Sequence, residues 1–579
     1  MSKFLRLAAA TLCAAAAPAL ASEKDRDPIT LDTGFPQTEG QKAYDAARYV
    51  VVNEILPAKK SIAGHSIIEF VATTDLSVLE LDFDGAFKIS SVTQGGAAAK
   101  YRRTANKLFV DLPAPVAKGA RSAVKVDYAG KPREAPRAPW DGGFVWATTP
   151  SGKPWIATAI QGEGCDVWFP CKDHPLGEPA EGFELVFTVP PGVEAVSNGV
   201  LEKVDTLPDG RRAFHWRTRY STNIYGVALN VGPYALLEDS YPSLSGVAVP
   251  VKFWPLAERK EKAEKLFNAQ FSSTIEFFER VLGPYPWPDE KIGVVETPHK
   301  GMEHQTVNAY GNEYARGILG FDELFQHEFA HEWFGNLLSV SSNSDMWLHE
   351  GTGAYMQPVY AQEVIGDAAM ISSMYNSYLG IRNCAALAPR EEMSENVVYD
   401  NDKAGPGSDI YVKGAWVLHS MRYLMGEEPF WRAVRTLLYS TPEPHTLKPP
   451  YQPVFRTSDD FLRIASDEAN TDLTWFFDVY VRQPGLPELI RETDGADLVL
   501  RWKTPGDLPF PMPIPVRIDG VSARLEAPGG VARIAGGAQR RIEIDPMLSV
   551  LRVLPSLKTC EERKTAEKAA QERAKKKKG

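Results

Sequence analysis

The sequence is short of several features that would settle its class at once. Five cysteines in 579 residues are too few for a disulfide scaffold. Acidic residues outnumber basic ones by 74 to 64, a formal net charge of −10, which excludes nucleic-acid binding through bulk positive charge. Beyond residue 21 no stretch supplies the ~18 consecutive apolar residues of a membrane span, so no transmembrane segment is expected. Histidine is scarce, at ten. What is present is ordinary globular usage, 44% apolar and 24% charged, which excludes disorder along the whole chain. At this length a single core does not suffice, and about three to four domains are expected.

The two ends differ from the body. Lys3 and Arg6 precede the apolar run Leu7–Leu20, which is too short to span a bilayer and closes on the small-residue site Ala19-Leu20-Ala21. Residues 1–21 therefore read as a secretory signal peptide, and a periplasmic or extracellular location is expected. Cys13 follows Leu12, a poor match for lipoprotein processing. Cleavage leaves Cys165, Cys171, Cys384 and Cys560, which can pair in an oxidising compartment. Four cysteines allow three pairings. Cys165–Cys171 is the favoured pair, with two buried free thiols as the alternative. At the other end, Lys558–Gly579 holds nine basic residues against four acidic ones, so the body carries more than the whole net negative charge.

Patterning divides the chain. Residues 22–43 are a polar leader. Residues 44–244 alternate in the manner of strands, as in Leu79, Leu81 and Phe83, with turns at Pro190-Pro191-Gly192 and Pro208-Asp209-Gly210. From residue 245 to 484 helical spacing dominates, with Leu266, Phe267, Phe271, Ile275 and Phe278 forming a stripe that belongs to a core. The breaker Gln483-Pro484-Gly485-Leu486-Pro487 precedes short strands over 485–556, read as a small β-sandwich. Residues 557–579 are a charged tail, either a solvated helix or disordered. The class is multidomain α+β.

The chemistry concentrates in His327-Glu328-Phe329-Ala330-His331. On a helix, positions i and i+4 share a face, so both imidazoles can reach one zinc, with Glu328 beside them to take a proton from an attacking water. A hydrolytic zinc keeps an open position and needs a third protein ligand. Glu350 supplies the candidate, separated from His331 by eighteen residues and inside Trp347-Leu348-His349-Glu350-Gly351. In that apolar setting an unpaired charge would be costly.

With these residues the chain resembles the zinc aminopeptidases of the aminopeptidase N and leukotriene hydrolase group, as does Gly335-Asn336-Leu337 after the helix. The resemblance covers Tyr44–Leu551. It implies a β-saddle first domain, a thermolysin-like catalytic domain, a small C-terminal β-sandwich and one Zn2+ per chain. It also implies peptide substrates with a free N-terminal amine. Gly301-Met302-Glu303 resembles the family's G-x-M-E-N strand, whose glutamate binds the substrate ammonium, while Lys300 and His304 depart from it. A fixed carboxylate there sets one residue's distance from amine to scissile carbonyl. Tyr411-Val412-Lys413-Gly414 resembles Y-x-K-G and implies that Tyr411 donates to the oxyanion. Gln161-Gly162-Glu163 resembles Q-x-E, whose glutamate is a second amine anchor. His304 and His349 are expected to line the cleft. Large family members carry a further helical domain, for which only about twenty residues remain after Leu557. An epoxide hydrolase-like bifunctional enzyme, a zinc endopeptidase and a non-catalytic peptide-binding member are the alternatives. Glu163 stands where the hydrolase branch has Gln, and an endopeptidase needs no amine carboxylates.

Overall fold

A computed structural model describes residues 36–317, 319–401 and 405–578. The expected signal peptide lies outside the described residues. The run Tyr49-Val50-Val51-Val52 is β-branched and aromatic, and its side chains alternate between full and partial burial. It forms the centre of the Tyr44–Leu56 strand, which pairs antiparallel with Ser61–Ala72 (Val50 opposite Ile67) and parallel with Phe183–Val189 (Tyr49 opposite Phe183). These strands anchor an eight-stranded sheet, joined by sheets of three and four strands around one apolar core. The four-stranded sheet contains Pro154–Ala159, which leads into Gln161. Cys165 and Cys171 are disulfide-bonded, as favoured from the sequence. The loop they close docks on Leu76–Asp82, where Cys171 and Asp82 exchange both backbone hydrogen bonds, at 2.8 and 3.0 Å.

A mixed sheet follows, built from Leu237–Pro242, Ala248–Trp254, Ile292–Glu296 and Asn308–Tyr310, with the last two pairings parallel. The boundary expected at residues 244–245 falls in the turn of its first hairpin, so both flanking strands belong to one sheet. Helices Ser272–Leu282, Glu323–Ala330, Trp347–Val364 and Asp409–Met425 pack beside it. The stripe noted in the sequence is core: Phe271 stacks on Phe325 at 4.2 Å, and Phe278 on Trp333 at 5.3 Å.

Two three-stranded sheets end the β-rich part, one with Asp497–Lys503 and the other with Ile514–Ile518 at its centre. Their core is continuous with that of the helices, through Phe510 against Trp475, Tyr480 and Trp502. The tail is a helix, Cys560–Lys578, and it is docked rather than loose. Cys560 is disulfide-bonded to Cys384, Arg563 donates to the Leu379 carbonyl at 2.7 Å, and Glu567 pairs with Arg382. Among the described residues no helix is long and apolar enough to cross a membrane.

Candidate metal and peptide site

The helix Glu323–Ala330 starts on Asp322, whose carboxylate caps it by accepting from the Phe325 N–H at 3.1 Å. Asp322 is itself fixed by the Tyr310 hydroxyl at 2.6 Å, which ties the helix to the mixed sheet. His327 and His331 then fall on one face, with their Nε2 atoms 3.2 Å apart. The Nδ1 of His331 lies 2.7 Å from the Phe334 carbonyl, so that nitrogen carries the proton and Nε2 keeps its lone pair. Gly335 adopts φ +134°, a backbone conformation open to glycine, and there the chain reverses out of the helix. The next residue, Asn336, donates from its amide to the Glu303 carbonyl at 3.0 Å. The G-N-L run thus positions the backbone of the Gly301–Glu303 segment.

Glu350 enters from the first turn of Trp347–Val364. Its Oε2 lies 3.7 Å from His327 Nε2 and 3.5 Å from His331 Nε2. Burial acts to raise its pKa, but the neighbouring His327 and His331 imidazoles, with help from the Tyr399 hydroxyl, hold it at about 2. The ligand atoms of His327, His331 and Glu350 all lie within 4.8 Å of one another. Three acceptors facing a common point repel unless a cation lies between them, and two imidazoles with a carboxylate are a donor set for zinc. The residues therefore fit the metal that the sequence implied.

Glu328 is buried beside this cluster, and Gly301 lies directly under it. A Cβ on Gly301 would meet Glu328 Oε1 at 2.0 Å, so any side chain there would displace the Glu328 carboxylate. Burial, followed by the carboxylates of Glu303 and Glu350, pushes the Glu328 pKa well above the usual carboxylate range. Met302 is 4% exposed and packs with Ala159 and Ala309. Glu303 accepts a hydrogen bond from the Tyr225 hydroxyl at 2.9 Å, and burial raises its pKa against the opposing effect of His331. The Tyr411 ring lies 6.2 Å from that of His327, and its phenol is pushed up by burial and by Glu350.

Glu163 is placed differently from Glu303. Its Oε2 accepts from the Gly142 N–H at 2.7 Å, and its Oε1 lies 3.6 Å from the Arg133 guanidinium. An arriving ammonium would find this carboxylate already facing a cation. Gln161 donates to the Tyr399 hydroxyl at 3.0 Å, and Tyr399 donates to Glu350 at 2.8 Å. His304 is fully buried, and its site neighbours Met302 and Glu303 are buried as well. His349 is buried too, and lines a pocket with Asp173, Glu178, Tyr225 and Glu395. Sequence reasoning missed Tyr225, Tyr399, Glu395 and Arg133. None sits in a recognisable spacing, and each reaches the site only through the fold.

Residues 269–480 match the peptidase family M1 domain. Endoplasmic reticulum aminopeptidase 1 of Mus musculus is 25% identical over 336 residues, 55% of this chain and 35% of that protein. Aminopeptidase N of Haemonchus contortus is 26% identical over 319 residues, 50% of this chain and 31% of that protein. The chain thus spans about a third of the length of the curated relatives it matches. An M1 zinc metallopeptidase from Deinococcus radiodurans superposes with a TM-score of 0.63 at 22% identity, covering 79% of this chain and 97% of that one. At that identity the likeness establishes the fold.

Proposed function

We propose that this chain, whose residues 269–480 match the peptidase family M1 domain, is a zinc-dependent aminopeptidase that hydrolyses the N-terminal peptide bond of peptides. The observation that carries the reading is the convergence of His327, His331 and Glu350 within 4.8 Å, with Glu328 and Glu303 beside them. A zinc held by those three ligands would supply Lewis acidity toward the scissile carbonyl and the attacking water.

The chain's own groups do the rest. Glu328 accepts the water proton and passes it to the leaving amine. The raised pKa of Glu328 matches a group that must hold that proton between the two transfers. Tyr411 donates a hydrogen bond from its phenolic hydroxyl to the developing oxyanion. Glu303, oriented by Tyr225, receives the substrate ammonium, which fixes the first peptide bond over the histidine face. Glu163 contributes through its loop and less through its charge, since Arg133 and Gly142 already hold it. The substrate backbone can extend along the Gly301–Glu303 edge. The N-terminal segment 1–21 and the two disulfides support export to an oxidising compartment.

Hydrolysis of aminoacyl anilides, with and without a chelator, tests the reading. Turnover should vanish with chelation and return with zinc. N-acetylation of a peptide should abolish cleavage. Equal rates on acetylated and free peptides would make the enzyme an endopeptidase instead.

A further inference from the structure

The two oxygens of Glu350 face different ways. Oε2 faces the imidazoles at 3.5 and 3.7 Å. Oε1 is engaged by the Tyr399 hydroxyl at 2.8 Å. A phenol has one proton to give, and an ionised carboxylate can only accept, so Tyr399 must donate to Glu350. Its lone pairs are then free to accept, and the Gln161 side-chain amide donates to them at 3.0 Å. Both donors in this relay have a matching acceptor, and the direction runs from Gln161 through Tyr399 to Glu350.

The relay joins parts of the chain that are far apart in sequence. Gln161 follows the Pro154–Ala159 strand of the N-terminal β region. Tyr399 caps the short helix Glu395–Val398. Two further bonds hold these loops together: the Gly162 N–H donates to Glu395 Oε2 at 3.3 Å, and the Asn396 amide donates to the Gly162 carbonyl at 3.2 Å. The Tyr399 ring also lies 6.4 Å from that of Tyr411, so the relay borders the reacting groups without replacing them.

We propose that Tyr399 is a positioning residue that holds Glu350 with one oxygen turned to the metal, and that Gln161 supports it from the N-terminal region. Glu350 could otherwise rotate and lose its single-oxygen presentation to the imidazoles. The inference rests on the zinc reading of the site, but its readout is metal affinity and not peptide turnover. It can therefore fail or succeed independently of the peptidase assignment.

The test is zinc binding to the full-length protein by competition with a chromogenic chelator. Tyr399→Phe keeps the ring and removes the hydroxyl. It should weaken zinc about 10- to 100-fold, the usual effect of losing a group that orients a ligand. Thermal unfolding of the zinc-free protein should stay near the parent, which a merely structural tyrosine would not allow. Gln161→Leu should weaken zinc by less, and the double variant by no more than Tyr399→Phe alone. Zinc affinity of Tyr399→Phe within about twofold of the parent overturns the proposal, as does full additivity of the two changes. Should Tyr399→Phe fail to fold, Gln161→Leu decides: a several-fold weakening supports the relay, and an unchanged affinity overturns it.

Discussion

Gly351 and Gly414 meet face to face. A Cβ built on Gly351 would lie 2.9 Å from the Gly414 Cα and 2.9 Å from the Ile410 carbonyl oxygen, and one on Gly414 would lie 2.9 Å from the Gly351 Cα. Helices Trp347–Val364 and Asp409–Met425 therefore cross at backbone contact. The crossing brings Glu350, one residue before the first glycine, beside Tyr411, three residues before the second. The glycines of W-L-H-E-G and Y-x-K-G thus have a packing reason distinct from chemistry.

Gly351→Ala should separate those helices. The added methyl has no room, and overpacking of this kind costs about 1–3 kcal/mol, more than the helix propensity gained. Equilibrium denaturation should show a lower midpoint at an unchanged slope. Zinc affinity should fall with it, because Glu350 moves. A variant as stable and as zinc-tight as the parent would contradict the close crossing.

Glu328→Gln removes the proposed proton acceptor and keeps the shape. Peptide turnover should drop about 10²- to 10⁴-fold. Zinc content, measured by atomic absorption, should remain near one per chain. Gly301→Ala should lower turnover as well with every ionisable group intact, since its Cβ would intrude 2.0 Å from Glu328 Oε1. Near-parental activity in either variant contradicts the placement of the base.

Much of this site could be read before any coordinates. His327, Glu328, His331 and Glu350 were legible because helical periodicity and one short span carry the whole arrangement. Gly301 and Gly414 lay inside readable motifs, but their reason did not, because a missing side chain has meaning only against its three-dimensional neighbour. Tyr225, Tyr399 and Arg133 were illegible for another cause. Each acts through hydrogen bonds or ion pairs made between separate segments of the chain, and no local spacing encodes such contacts. The helices and the strands with clear alternation were readable, whereas the shared core around Phe510 was not. A breaker such as Gln483-Pro484-Gly485 marks a change of element and says nothing of whether the cores beyond it merge.

Glu303 and Tyr225 should separate in their kinetics. Glu303→Ala deletes the proposed ammonium partner, worth about 1.5–3 kcal/mol for a charged hydrogen bond. KM for free-amine substrates should rise about 10- to 100-fold. Tyr225→Phe leaves the carboxylate and removes only its 2.9 Å orienting bond, so KM should rise several-fold with kcat nearly kept. A Glu303→Ala enzyme with parental KM would transfer the anchoring role to Glu163.

Glu178 sets a pH dependence on stability. It lies between the N-terminal β region and the strand Leu338–Val340, accepting from the Ser339 hydroxyl at 2.7 Å and the Ser221 hydroxyl at 3.5 Å. Burial raises its pKa from the ordinary 4.5 to about 7, although both hydroxyls act in the opposite direction. Between those two values the folded chain holds a proton that the unfolded chain has released. Its contribution to stability therefore falls as pH rises through this window and is constant above pH 7. Glu178→Gln keeps a hydrogen-bonding amide without the charge. In thermal melts the substitution should raise Tm by roughly 1–3 °C at pH 8 and leave it unchanged at pH 4.5. An equal shift at both pH values would mean that the carboxyl group does not titrate between them, and that the gain comes from packing alone.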